Sequence, residues 1–298
     1  MILPIIVLLI GYPFIRRTVG FHFKSEEKEN TFRILSYNVY GFHHSDFWTD
    51  KSPKMKATIK QSIDYSVNTK AEIKCLQEYY NMKSTPRFST LDSLRKDNPY
   101  YALISPWGPE RVFSLGIFSK YPIIQTKKST FGSLNGNGYI MADIARKNDT
   151  IRVINIQLQS MGIRVGRVVT DIKENAFNKA ENQAKDIYYQ LKNGFISHSK
   201  EIKMVEKLID NSPYPVFVCG DFNETPYGNA YGNIRDRLNN AFEEAGNGFG
   251  FTLNRSPKFV RIDNQFCSES IEVLNFETHR HIPYSDHFPT LGTYRIKK

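Results

Sequence analysis

The sequence predicts a mixed α/β fold, and three observations carry that prediction. From residue 32 onward, short apolar runs of strand length alternate with longer stretches of helical period. A chain of 298 residues with 40% hydrophobic side chains is long enough to bury one large core. Polar residues able to do chemistry recur where the apolar runs end, at the positions where strands give way to loops.

The first fifteen residues, MILPIIVLLIGYPFI, are almost wholly apolar and precede Arg16 and Arg17. The run is short of the roughly 20 residues needed to cross a bilayer and lacks the basic start of a signal peptide, so 1–17 is expected to be the end of a membrane segment. An apolar element packed on the domain is the alternative, because Pro4 and Pro13 disturb a helix. The polar SEEKENT at 25–31 marks 18–31 as a linker, and 32–298 is expected to be the folded domain.

Within that domain, strands are expected at 32–38 (FRILSYN), 72–78, 100–105, 113–119, 138–145, 150–158, 215–221, 259–266 and 289–296. Helices are expected at about 54–67, 86–97, 167–210 and 226–238, the last opened by Thr225 as N-cap and Pro226 at its first position. Cys75, Cys219 and Cys267 lie in or beside apolar runs without metal-ligand spacing and are expected to be buried free thiols.

The formal net charge of +10 favours anionic partners such as nucleic acid, phospholipid headgroups or phosphorylated metabolites. The excess is uneven: Lys51, Lys54, Lys56, Lys60, Lys70 and Lys74 outnumber the acids around them, 111–128 holds no carboxylate, and Arg255, Lys258 and Arg261 form a third basic stretch. The mixture of Lys and Glu along 164–210 instead suits a solvated helix face.

Asn38, Glu78, Gln157, Asp221 and Asn223 each fall at or just past the end of an apolar run. If those strands end on one edge, their loops converge on one cleft. The carboxylates of Glu78, Asp221, Asp263 and Asp286, with the carboxamides of Asn38 and Asn223, make an oxygen-rich set suited to Mg²⁺ or Mn²⁺ rather than zinc. His287, directly after Asp286, adds a group that titrates near neutrality, and a carboxylate behind it would fix its tautomer. Such a set can hydrolyse a phosphate ester.

These residues resemble the endonuclease/exonuclease/phosphatase superfamily, which includes pancreatic-type deoxyribonuclease, abasic endonucleases and bacterial sphingomyelinases. The matching pieces are LSYNVYGF at 35–42, IKCLQEYYN at 73–81, VINIQLQS at 153–160, VCGDFNETP at 218–226, RIDNQFCS at 261–268 and YSDHFPTL at 284–291. GYPFIRR at 11–17 is similar to the end of the last N-terminal membrane helix of some bacterial members.

The resemblance implies a four-layer α/β/β/α sandwich of two packed mixed sheets, with the cleft at one end. It implies Glu78 as the main metal ligand with Asn38 and Asp286 in or behind the metal shell. Asp221 would orient or deprotonate water, Asn223 would hold water or a phosphate oxygen, and His287, held by Asp263, would contact the scissile phosphate. One position departs from the pattern: many relatives carry a histidine in Asn-x-His-Leu where this chain has Gln157, which can donate a hydrogen bond but cannot shuttle a proton.

The expected activity is metal-dependent hydrolysis of phosphate esters, first as a phosphodiesterase or endonuclease. A phospholipid or phosphoinositide headgroup hydrolase and a binding-only descendant are the alternatives. The resemblance further suggests a monomer associated with the bacterial cell envelope through its N-terminus, its catalytic domain outside the cytoplasm.

Overall fold

The computed structural model describes residues 11–23, 29–105, 108–132, 136–162 and 177–297. The first described elements are strand β1 (Val19–Gly20), strand β2 (Phe32–Asn38), helix α1 (His44–Thr49), helix α2 (Pro53–Asn68) and strand β3 (Ile73–Met82). Helix α3 (Leu91–Arg95) and strands β4 (Tyr100–Leu103), β5 (Arg111–Ser119), β6 (Ile123–Thr130), β7 (Gly138–Arg146) and β8 (Asp149–Gln157) follow. Beyond them lie helix α4 (Phe177–Asp210), strand β9 (Val216–Asp221), helix α5 (Asn229–Arg235), strand β10 (Asn239–Asn240) and helix α6 (Ala241–Ala245). The described chain closes with β11 (Gly248–Phe249), β12 (Asp263–Cys267), β13 (Ile271–Thr278) and β14 (Thr290–Ile296).

Two six-stranded sheets, ordered β10-β12-β9-β8-β7-β6 and β13-β14-β2-β3-β5-β4, pack face to face. Period-two alternation divides their side chains between layers. Ile34, Cys75 and Ile117 of one sheet meet Ile140, Val153 and Phe217 of the other in the central core. Leu35 and Leu76, one residue along, point the opposite way and bury Ile59 of α2. On the far side, Ile154 and Val218 bury Ile202 and Val205 of α4 and Ile234 of α5. The result is the expected α/β/β/α sandwich of two mixed sheets.

All three cysteines are buried free thiols. Five strands escape the sequence reading: the two-residue β1, β10 and β11, and the longer β6 and β13. β6 is an almost wholly exposed edge strand rich in Lys, Thr and Ser, so it lacks the apolar run that betrays a buried strand. β13 is interrupted by Glu272, Asn275 and Glu277, and its pairing with β14 shifts register between Val273 and Asn275.

Helical boundaries also move. The stretch expected at 86–97 is a short 3₁₀ turn, Pro86–Phe88, followed by α3. The expected start at Thr225 and Pro226 is replaced by Gly228 as N-cap of α5, because the Glu224 carboxylate reaches forward to accept the Ala230 N–H at 2.8 Å. Part of the expected 167–210 helix, residues 167–176, lies outside the described residues, as do 1–10 of the apolar N-terminal run. Among the described residues no helix is long and apolar enough to cross a membrane. Residues near 11–20 lie against the domain: β1 pairs with β11, Arg16 meets Glu243 at 3.3 Å, and the Arg261 guanidinium donates to the Arg17 carbonyl.

Candidate active site

The two parallel strand pairs place the site. β2 runs parallel to β3 in one sheet and β8 parallel to β9 in the other, with Asn38 opposite Gln77 and Gln157 opposite Asp221. Parallel neighbours run the same way, so Asn38, Gln157 and Asp221, the last residues of β2, β8 and β9, reach one end of the sandwich together with Glu78, one residue past the last parallel pair of β3. β12 runs antiparallel to β9 and begins there, with Asp263 opposite Asp221. β14 runs antiparallel to β2, so the loop leading into it delivers Asp286 and His287 to the same end.

Local backbone shape aims individual groups. The β3–β5 pairing skips register between Leu76 and Tyr79, and Glu78 in that bulge has φ of 49°. Bulges turn a side chain away from its strand's alternation. Asn223 shares this left-handed conformation at 48°, and for non-glycine residues such conformations persist only where surrounding structure fixes them. Gly220 has φ of 143°, and a Cβ there would stand 1.9 Å from the Ile156 carbonyl, so the first letter of GDFN has to be glycine for β8 and β9 to close.

The structure brings all the sequence-predicted site residues into one cluster of hydrogen bonds and ion pairs. The Asn38 amide donates to Glu78 Oε1 and to Asp221 Oδ2, each at 3.1 Å. Gln157 Nε2 donates to the same Glu78 Oε1 at 2.9 Å. Asn223 donates its backbone N–H to Asp221 Oδ1 at 2.8 Å and its amide to Asp221 Oδ2 at 3.2 Å. His287 Nδ1 meets Asp263 Oδ2 at 2.9 Å, while its Nε2 faces Asp221 Oδ2 at 3.8 Å and Asp286 Oδ1 at 4.0 Å.

Electrostatics separates these groups. Burial alone would lower the His287 pKa, but Asp263 and Asp221 override it and push the imidazole up to about 10. It is therefore an imidazolium at neutral pH. Burial raises Asp221 to about 7, against the opposing pull of His287 and with help from the Asp263 charge. A carboxylate that exchanges its proton near neutrality is matched to general-base work.

Whether a hard cation fits can be judged from the donors. Asp221, Asp263 and His287 bring ligand atoms within 4.8 Å of one another, but all three are buried and His287 Nδ1 is already held by Asp263. Glu78 offers a better seat. Both amides that reach it converge on Oε1, and no described residue donates to Oε2. Asp286 is still 19% accessible and is tied to the same corner through Ser285, whose hydroxyl donates to the Asn38 carbonyl at 2.7 Å and lies 3.4 Å from Asp286 Oδ1. Burial and the charges of Asp46, Asp286 and Glu78 all raise the Tyr40 phenol, a sign of how much negative charge gathers there. Asn38 Oδ1 is turned aside to accept the Tyr40 N–H at 3.0 Å, so in this arrangement Asn38 orients carboxylates through its NH₂. An oxygen-only corner with a free carboxylate oxygen suits Mg²⁺ or Mn²⁺. The buried Gln157 Oε1 and Asp263 Oδ1 also lack hydrogen-bond partners.

Four contributors escape the sequence reading as site residues. Arg255, noticed there only as part of a basic stretch, pairs with Asp286 Oδ2 at 3.3 Å. Ser285 sits inside the YSDH piece and links Asp286 to β2. His198 of α4 is fully buried and bridges two active-site loops, meeting Glu224 Oε2 at 2.9 Å and the Gln159 carbonyl at 2.7 Å. Glu201, one turn on, accepts the Gln159 N–H at 3.0 Å. A lone histidine in a mixed-charge helix gives no sequence signal for this role. Asn264 is drawn away from the site, accepting from Arg261 at 2.6 Å.

Residues 35–287 match the sequence profile described as the Endonuclease/Exonuclease/phosphatase family. No curated protein sequence matches the chain. Among solved structures, truncated Caenorhabditis elegans TDP2 is similar at 18% identity and a TM-score of 0.57, over 90% of this chain and 99% of that one. An endonuclease/exonuclease/phosphatase from Bacteroides vulgatus is 15% identical with a TM-score of 0.58, over 90% of this chain and 100% of that one. Another, from Beutenbergia cavernae DSM 12333, is 14% identical with a TM-score of 0.58, over 90% and 72%. At these identities the likeness concerns the fold alone.

Proposed function

Because the chain belongs to the Endonuclease/Exonuclease/phosphatase family, whose members are generally hydrolytic phosphoesterases and nucleases, we propose that it hydrolyses phosphodiesters with the aid of Mg²⁺ or Mn²⁺. The observation that carries this reading is the side-by-side placement of a buried histidine held by Asp263, a buried Asp221 facing its other ring nitrogen, and a Glu78 carboxylate with one oxygen to which no described residue donates.

Glu78 and Asp286 would hold the cation, with Asn38 and Gln157 fixing Glu78. A divalent ion there supplies charge neutralisation on the phosphate oxygens. Asp221 accepts the proton of the attacking water, and Asn223, whose amide already lies against Asp221, orients that water or a phosphate oxygen. The water oxygen bonds to phosphorus as the ester P–O bond breaks. His287, kept charged by Asp263, faces the phosphate with a positive N–H and supplies the proton for the departing oxygen, a task the Gln157 amide cannot perform. Arg255 adds a second positive group beside Asp286.

The test is turnover of bis(p-nitrophenyl) phosphate, plasmid DNA, RNA and phospholipid vesicles with Mg²⁺ or with EDTA, beside His287→Ala. Turnover of at least one substrate that needs both the metal and His287 is expected. Hydrolysis that survives EDTA, or proceeds at full rate in His287→Ala, would overturn the assignment.

A further inference from the structure

A cavity of about 300 Å³ opens next to the reacting groups, between α4 and the 253–262 segment. Ile187 and Leu191 of α4 form one wall, and Leu253, Val260 and Ile262 form the other. Asn223 and Arg255 also line it. These two residues belong to the site as well, since Asn223 touches Asp221 and Arg255 touches Asp286. A phosphate resting between them would direct its substituent towards the apolar walls.

Among the described residues, the cavity offers no unpaired charge to that substituent. Glu224 lines it, but its carboxylate is buried and consumed by His198 and the Ala230 N–H. Arg255 is directed to Asp286. A nucleobase pocket reads its base by stacking on aromatic rings and by hydrogen bonds to the base edge. Here the facing walls of Ile187, Leu191, Leu253, Val260 and Ile262 are aliphatic, the hydroxyls of Ser160, Thr225 and Ser256 also line the cavity, and Phe195 is the one aromatic among the described lining residues. Apolar side chains left open around a concave surface that shares residues with a polar centre are the usual make-up of a ligand subsite.

Resting on the phosphodiesterase reading above, we infer that this cavity is a subsite for an aliphatic chain esterified to the phosphate. The substrate class is then an amphiphilic phosphodiester, with its charged phosphate at His287 and its alkyl group between Ile187 and Val260. Each methylene that enters should improve binding about fourfold until the cavity fills.

The test measures binding as well as turnover, so that the two readings fail separately. Methyl, butyl, hexyl and octyl phosphates are titrated calorimetrically into the full chain with Mg²⁺, with phenyl phosphate and thymidine monophosphate as competitors for the assignment. The corresponding p-nitrophenyl alkyl phosphodiesters are followed in parallel. Affinity is expected to climb with chain length, and Leu191→Asp or Ile187→Asp, both on a partly exposed helix face, is expected to flatten that climb by tenfold or more at octyl. A climb in affinity without any turnover would sustain the subsite while sinking the phosphodiesterase reading. Equal affinity for methyl and octyl phosphate, an unchanged climb in both variants, or tighter binding of phenyl phosphate or thymidine monophosphate than of the hexyl or octyl ester would overturn the subsite.

Discussion

Glu78 and Asp221 occupy matching places in the two sheets, each at the end of a parallel strand pair beside a carboxamide, yet their surroundings are opposite. Glu78 sits in a bulge with left-handed backbone, keeps some exposure, and leaves Oε2 without a donor among the described residues. Asp221 continues its strand, is 1% exposed, and stands beside an imidazolium and a second carboxylate. The lesson is that a near-repeat of topology supplies two carboxylates at one spot, and that burial and backbone shape then divide the labour between them. One is open to a cation. The other is tuned to take a proton.

The largest expected effect comes from removing the proton acceptor while keeping its shape. Asp221→Asn should lower kcat by about 10²–10⁴-fold and leave the half-saturating Mg²⁺ concentration nearly unchanged. Glu78→Gln should do the reverse in kind, raising the Mg²⁺ requirement at least 10–100-fold, with activity recovering in part at high metal. Metal titrations of both variants decide the matter: if Asp221→Asn moves the metal requirement as far as Glu78→Gln does, the division between the two carboxylates is wrong.

A smaller effect tests how the Asp221 side is held. His198 and Glu224 tie α4 to the loops after β8 and β9, and neither residue is placed to touch the phosphate. They are positioning residues. His198→Gln should cost about 1–3 kcal/mol of stability, since it leaves the buried Glu224 carboxylate short of a partner, and about tenfold in kcat with little change in the metal requirement. Burial alone would lower the His198 pKa, but the Glu224 carboxylate and the Gln159 carbonyl raise it above the ordinary histidine value. A raised pKa makes the charged pair's contribution complete below a pH of about 6.5 and lost as pH climbs through the folded value. Melting curves should therefore show the largest gap between wild type and His198→Gln at pH 6, narrowing by pH 9; a gap that widens with pH would refute the charged pair.

How much of this was legible in the sequence follows from what each feature depends on. Asn38, Gln157 and Asp221 announce themselves because each closes an apolar run, and parallel pairing of neighbouring runs carries such residues to one edge. His287 and its partner Asp263 rest on spacing between motifs and come together only through β12 and β14. The bulge at Glu78 leaves no trace in the pattern: the sequence reading ends the strand at Glu78, whereas β3 bulges there and runs on through Tyr79 and Tyr80 to Met82. Glu224 misleads the reading of α5: Thr225 and Pro226 imitate a helix start, and only the long-range demand of His198 shows why the carboxylate caps three residues later. The aliphatic cavity is likewise silent in sequence, since α4 and the 253–262 segment meet only in space.

The mildest change probes the carboxamide on the Glu78 side. Gln157 stands at the position where the resemblance leads one to expect a histidine, and here its Nε2–H shares Glu78 Oε1 with Asn38. If Gln157 serves only to hold Glu78, then Gln157→Leu removes one of two donors and should weaken metal binding by about fivefold, the worth of one ordinary hydrogen bond. Its kcat at saturating Mg²⁺ should stay close to wild type, because Asn38 still fixes the carboxylate and His287 still carries the proton for the departing oxygen. A fall in kcat of a hundredfold at saturating metal would place Gln157 against the phosphate itself, and Glu78 would no longer be the only group it serves.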